Sequence, residues 1–184
     1  MKRRKREVVV GVGGSIAAYK ACDAVSRLVK ENCNVNVVMT REAEQFVTPL
    51  TFQTVSNNPV VTDLFKSPEE WSPLHISLAR RAELVLIVPA TANLISKLAC
   101  GICDDALTCL VVSTGARVVI CPAMNESMYK NKIIQGNIAK LKSLGYIFVG
   151  PVKGHLACGE TGLGHIAAVE TIVKEAKKLL SKSS

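Results

Sequence analysis

The residues most able to do chemistry in this chain are an amide, a histidine and a loop thiol. Asn125 lies in Cys121-Pro122-Ala123-Met124-Asn125-Glu126-Ser127-Met128-Tyr129, just past the short apolar run Arg117-Val118-Val119-Ile120. An uncharged amide there can hydrogen-bond a carboxylate without adding charge, and Met124 and Met128 set it among soft apolar groups. Ligands of open α/β sheets bind at the carboxyl ends of strands, so the stretch reads as one wall of a ligand site. A strand-to-helix turn with Asn125 as N-cap fits the same residues. His75 opens a short amphipathic pattern over 76–81, and its ring titrates near neutral pH. Capping or plain surface exposure is the bland alternative. Cys158 sits mid-loop between Ala157 and Gly159, where it could reach a substrate or be an ordinary thiol.

The elements that must position these groups follow a β–α alternation. Residues 7–11 read as a buried first strand, Gly11-Val12-Gly13-Gly14-Ser15 as a glycine-rich turn, and 16–30 as a helix. Strand, glycine turn, helix is how a nucleotide-binding α/β unit opens, with the helix N-terminus offering N–H groups to a phosphate. Ile16 leaves G-x-G-x-x-G incomplete. The second strand, 34–39, leads into Thr40 and Arg41 rather than a ribose-binding acid. That speaks against a dinucleotide and for a mononucleotide whose phosphate is held by Gly14, Ser15 and Thr40. A tight turn with no ligand is the alternative.

Further strands are predicted at 83–88, 117–120 and 146–149, with a weak sixth around 59–64. The strand 83–88 ends in Pro89-Ala90-Thr91-Ala92-Asn93, which brings a second Pro-Ala turn and an Asn to the same sheet edge. A proline after a strand should end its ladder, having no N–H to give. Helices are predicted over 41–53 (broken near Pro49), 92–100, 105–114, 130–144 and 169–180. Residues 57–73 read as a surface excursion, and 150–166 as a long glycine-rich binding loop without periodicity. The reading is a three-layer Rossmann-like or flavodoxin-like α/β fold. Its mostly parallel sheet has five or six strands flanked by helices. One domain spans 1–184, with a basic N-terminal extension at 1–6.

Composition narrows the function. The chain has 184 residues and a net charge of +8, concentrated at its termini. Such a balance favours anionic small molecules. Aromatic content of 4% is too low for the stacking platforms of a single-stranded nucleic-acid binder. No apolar run reaches a membrane span, and the basic start runs straight into a strand pattern, which argues against a signal peptide. Seven scattered cysteines suit a reducing, cytosolic setting. Cys100-Gly101-Ile102-Cys103 offers a redox or metal pair without a second pair. His155, Cys158 and His165 fit no zinc spacing well.

Together the motifs resemble those of the homo-oligomeric flavin-containing cysteine decarboxylases, from about Val8 to Val173. The segment from Gly11 through Ser15 to Lys20 matches the family's flavin phosphate turn. Pro89-Ala90-Thr91-Ala92-Asn93 matches its flavin loop. Pro122 to Tyr129 matches Pro-x-Met-Asn-x-x-Met-Trp, with Tyr129 for Trp. Residues 156–164, Leu-Ala-Cys-Gly-Glu-Thr-Gly-Leu-Gly, match its substrate-clamp loop. The resemblance implies an FMN-dependent carboxy-lyase acting on a phosphorylated, cysteine-containing small molecule. It makes His75, Asn125 and Cys158 catalytic, as acid/base, carboxylate holder and reducing cysteine. It assigns FMN to Gly14, Ser15, Thr40, Phe46, Thr91, Ala92, Asn93 and Leu94, and substrate to Asn125, Met128, Ala157 and Gly159. A homotrimer or dodecamer with FMN at the subunit interface is implied, with no metal. So is a chain carrying only the decarboxylase half of bifunctional relatives. The alternatives are an oxidative peptidyl-cysteine decarboxylase, another flavoprotein of the same fold, and a non-catalytic flavin-binding regulator. One departure stands out. The family clamp usually ends Gly-x-Gly-Arg-Met or a similar pattern, whereas this chain has Gly162-Leu163-Gly164-His165-Ile166.

Overall fold

A computed structural model describes residues 4–64, 74–157 and 159–182. Its strands are β1 (Arg6–Val12), β2 (Cys33–Met39), β3 (Val60–Val61), β4 (Leu84–Ala90), β5 (Arg117–Pro122), β6 (Ile147–Phe148), β7 (Val152–His155) and β8 (Thr161–His165). The helices are α1 (Ala18–Lys30), α2 (Pro49–Ser56), α3 (Leu74–Arg81), α4 (Ala92–Cys100), α5 (Ala106–Ser113), α6 (Glu126–Lys130), α7 (Lys132–Ser143) and α8 (Val169–Ser181). The first six strands form one parallel sheet in the order β3-β2-β1-β4-β5-β6. This is the Rossmann order of doubly wound sheets, with its direction of winding reversing between β1 and β4.

The central strands are apolar on both faces because both faces are covered. Val8, Val10 and Val12 of β1 join Leu84, Leu86 and Val88 of β4 in the core under α1, α2 and α8. Val9, Val85, Ile87, Val118 and Ile120 point the other way, into the core under α3, α4, α5 and α7. A Cβ on Gly11 would meet the Leu107 side chain at 2.5 Å, so α5 packs almost on the backbone of β1.

Four local expectations are corrected. Pro49 begins α2, where its missing N–H costs nothing, and a 3₁₀ turn over Ala43–Gln45 precedes it. The ladder does not stop at the prolines. β4 continues through Pro89 to Ala90 with a register irregularity, and Ala123 N–H then donates to Ala90 O at 3.0 Å. The helix predicted over 130–144 begins earlier and is two helices, because Asn131 caps α7 through Ile133 N–H at 2.9 Å. Finally, 150–166 is no irregular loop. β7 and β8 pair antiparallel, a hairpin hidden from sequence periodicity because alternate positions are glycine. The weak sixth strand is present as β3.

Candidate active site

The carboxyl ends of β1, β2, β4 and β5 converge at the switch point. There Gly13 N–H donates to Pro89 O at 3.0 Å, tying the glycine turn to the start of the 89–93 turn. A Cβ on Gly13 would lie 2.7 Å from that same oxygen, and one on Gly14 would collide with Glu42. Thr40 leaves β2 buried, and its N–H donates to Val12 O at 3.0 Å. Thr91 caps α4 by accepting from Leu94 N–H at 3.2 Å. Asp105 caps α5 by accepting from Thr108 N–H at 2.8 Å. By contrast, α1 starts at Ala18 with Ala17 as its N-cap and no side-chain cap bond. An uncapped helix end facing a glycine turn leaves room for an anionic group to complete it.

Two adjoining cavities open at this edge. The first, about 290 Å³, is lined by Gly14, Ser15, Thr40, Thr91, Ala92, Asn93, Leu94 and Met128, among others. The second, about 400 Å³, is lined by Asn125, Ala157, Gly159, Lys20 and His165, among others. Ser15, Ala123 and Met124 belong to both walls.

Asn125 serves both of its sequence readings. It is the N-cap of α6, with Oδ1 accepting from Ser127 N–H at 2.8 Å, and it lines the second cavity. The cap thereby commits Oδ1 to the backbone of α6. The β7–β8 hairpin is anchored beside it. Met124 N–H donates to Gly164 O at 3.1 Å, and Leu163 N–H to the Glu126 carboxylate at 2.9 Å. The Leu163 bond, then Lys130, holds the Glu126 carboxyl below its ordinary range.

Seven of the eight residues expected at a cofactor line the first cavity. Phe46 does not; it follows the 3₁₀ turn, about half exposed, and lines neither cavity. The four residues expected at a substrate also divide. Asn125, Ala157 and Gly159 line the second cavity, while Met128 lines the first. His75 occupies the first turn of α3, which packs on α5, and it too lines neither cavity. Burial pushes its imidazole below the ordinary histidine range. Cys158 lies outside the described residues. No group of three His, Cys, Asp or Glu side chains could hold a metal ion among the described residues.

Lys97, Asp105 and Glu42 of the first cavity and Lys20 of the second were not singled out as site residues from sequence, whereas His165 of the second stood out there only as a weak metal candidate and as the departure from the clamp pattern. Lys97 bonds Asp104 at 2.7 Å and Asp105 at 3.3 Å, and the Asp104 bond leads in raising its pKa. The capping pattern Asp105-x-x-Thr108 was the available signal for Asp105. The lysines carried none, since an i, i+3 pattern is indifferent to which cavity a helix end faces.

Coenzyme A biosynthesis bifunctional protein CoaBC of Bacillus subtilis is 47% identical over 173 residues, covering 94% of this chain and 43% of that protein. This chain thus spans less than half the length of the bifunctional relatives. A probable phosphopantothenoylcysteine decarboxylase of Streptococcus mutans is 41% identical over 177 residues, covering 95% of this chain and 99% of that one. Among solved structures, a PPC decarboxylase mutant complexed with pantothenoylaminoethenethiol superposes with a TM-score of 0.88 at 29% identity, covering 98% of this chain and 100% of that one. The FMN binding protein AtHal3 superposes with a TM-score of 0.86 at 29% identity, covering 99% and 100%. The family model described as Flavoprotein matches residues 1–181, and the chain belongs to that family.

Proposed function

We propose that this chain catalyses the FMN-dependent decarboxylation of 4′-phosphopantothenoylcysteine to 4′-phosphopantetheine, a step of coenzyme A biosynthesis. The observation that carries the reading is the pair of adjoining cavities, with Asn125 on the wall of the second. FMN fits the first. Its phosphate would meet Gly14, Ser15 and the uncapped start of α1, where an added Cβ has no room, and its ring would lie along Thr91 to Leu94 and Met128. Bound there, FMN would accept a hydride from the substrate's cysteine CH2 and return it at the end of the cycle.

The chain's own groups supply position and protons. Oxidation turns the substrate CH2–SH into a thioaldehyde, so the carboxylate lies β to a C=S group that accepts the electrons as CO2 leaves. Asn125 holds that carboxylate through neutral N–H groups. A cation there would stabilise the ionised carboxylate and oppose its loss. His75 is the acid/base, kept neutral near pH 7 by its burial. Cys158 is the proton donor that completes reduction of the ene-thiol. The Lys20 ammonium, in the second cavity, faces the substrate's anionic end.

His75 lies outside both cavities of its own chain, which supports a reading in which a second copy supplies it. Exposed Ile16, Tyr19 and Leu50 offer apolar surface for that contact. The reading therefore includes a homotrimer, or a dodecamer of trimers, with FMN at the subunit interface. It sets the enzyme in the cytoplasm, in keeping with the free thiols of Cys22, Cys33, Cys100, Cys103, Cys109 and Cys121. No helix among the described residues is long and apolar enough to cross a membrane.

The test is an absorbance spectrum followed by anaerobic turnover of 4′-phosphopantothenoylcysteine. A flavin spectrum, CO2 and 4′-phosphopantetheine are expected, with the Cys158→Ser variant stopping at the ene-thiol. A flavin-loaded protein that acts only on peptides ending in cysteine would overturn the substrate. One inert to both would leave only flavin binding.

A further inference from the structure

We infer that His165 is the positioning residue of an anion subsite in the second cavity: it aims the Lys20 ammonium at the substrate's phosphate and does not bind that phosphate itself. The inference rests on the reading that the second cavity takes the substrate.

The hydrogen bonds of His165 carry the argument. Its Nδ1 lies 2.9 Å from the carbonyl oxygen of His155, and its Nε2 lies 2.9 Å from Lys20 Nζ. A carbonyl only accepts, so Nδ1 carries a hydrogen. An ammonium only donates, so Nε2 presents a lone pair. Both bonds form only in the neutral Nδ1–H tautomer. Every polar atom of the ring is then spent: the N–H on the hairpin's own backbone, the lone pair on Lys20. His165 has nothing left to give an anion.

The ring is also seated. Gly154 lies across the hairpin, and a Cβ there would meet His165 Cβ and Cγ at 2.9 Å, so any other residue would lift the imidazole from its place. His165 is thus held by β7 on one side and holds α1 on the other, joining residues 145 positions apart. Lys20 is the one ammonium or guanidinium lining the second cavity among the described residues. Its only other partner among the described residues is the Tyr19 ring, 6.0 Å from Nζ to the ring centre, and ordering a long stem on ligand binding weakens affinity. Tethered through one of its three N–H groups, it keeps two for a phosphate while its partner is a neutral ring. Lys97 in the first cavity is the opposite case, committed to two carboxylates.

The experiment compares 4′-phosphopantothenate with pantothenate, ligands that lack the reacting cysteine and differ only in the phosphate. Dissociation constants are measured by calorimetry on the FMN-loaded protein. His165→Phe should weaken the phosphorylated ligand about tenfold and the other less than twofold, the scale of one charge-assisted hydrogen bond. His165→Gln, whose amide can give to His155 O and accept from Lys20, should stay within about threefold of the parent and covers the case in which the Phe variant fails to fold. In a Lys20→Gln background His165→Phe should have no further effect on the ratio. During turnover of 4′-phosphopantothenoylcysteine, His165→Phe should raise KM with kcat unchanged. Equal weakening of both ligands, an unchanged ratio in His165→Phe, or a tenfold loss in His165→Gln would overturn the inference. If phosphate preference depends on His165 but no CO2 is released, the subsite stands and the assigned reaction fails. If CO2 is released normally and the ratio ignores His165, the reaction stands and this inference fails.

Discussion

Replacing Gly13 with alanine tests whether the two turns of the site are packed backbone to backbone. The added Cβ would lie 2.7 Å from Pro89 O, where ordinary contact begins at 3.4 Å. The obstacle is a carbonyl rather than the end of a flexible side chain, so no rotamer change relieves it. Separation by roughly 0.7 Å would stretch the 3.0 Å bond from Gly13 N–H to Pro89 O beyond useful range. Overpacking of this kind costs about 1–3 kcal/mol. For a chain of this size that is a fall in Tm of about 2–12 °C. Because the strained bond joins the glycine turn to the turn bearing Thr91, FMN retained through gel filtration should fall as well. Gly136→Ala is the matched control. It lies inside α7, where nothing stands within 4 Å of an added Cβ, and the swap should gain about 0.5–1 kcal/mol. Differential scanning calorimetry and the flavin absorbance of both variants decide the matter. A Gly13→Ala protein that melts within 1 °C of the parent and keeps its flavin would refute the packing argument.

Other outcomes follow from the same geometry. Asn125→Asp keeps an oxygen for the Ser127 cap, so Tm should hold, but it sets a negative charge against the substrate carboxylate. Like charges so placed cost several kcal/mol, and kcat/KM should drop about a hundredfold or more. The depressed His75 pKa keeps the ring neutral until the pH falls below the ordinary value of about 6.5. The acid limb of kcat/KM should therefore begin below about pH 6.5 and vanish in a His75→Asn variant with residual activity. The unfolded chain takes up that proton first, so the stability His75 contributes is complete above about pH 6.5 and declines as the pH falls below it. With a thiol-specific chromogenic disulfide, exposed Cys100 and Cys103 should react promptly. Buried Cys33 and Cys121, their thiols pushed up by desolvation, should react only on unfolding.

The sequence by itself determined the alternation of strands and helices and the edge at which chemistry would occur. Runs such as 84–88 and 118–120 are apolar at every position, as a parallel sheet covered on both faces requires. The glycine turn, Thr40 and the turn from Thr91 to Leu94 are local signals, because each lies within a few residues of a strand end. Their meeting in one cavity follows from strand order alone.

What the tertiary structure decided is everything that depends on distant residues meeting. The β7–β8 hairpin gives no period-2 signal because its positions include Gly154, Gly162 and Gly164, two of which leave space that another residue fills: the His165 ring and the Glu126 side chain. The pairing of Lys20 with His165 has no sequence signature, since no periodicity relates an α1 residue to the end of β8. Phe46 and His75 matched a pattern along the chain, yet neither lines either cavity of the folded chain. A motif records residue types and spacing, whereas packing decides which of them share a cavity, and it is packing that separates Asn125 from His75.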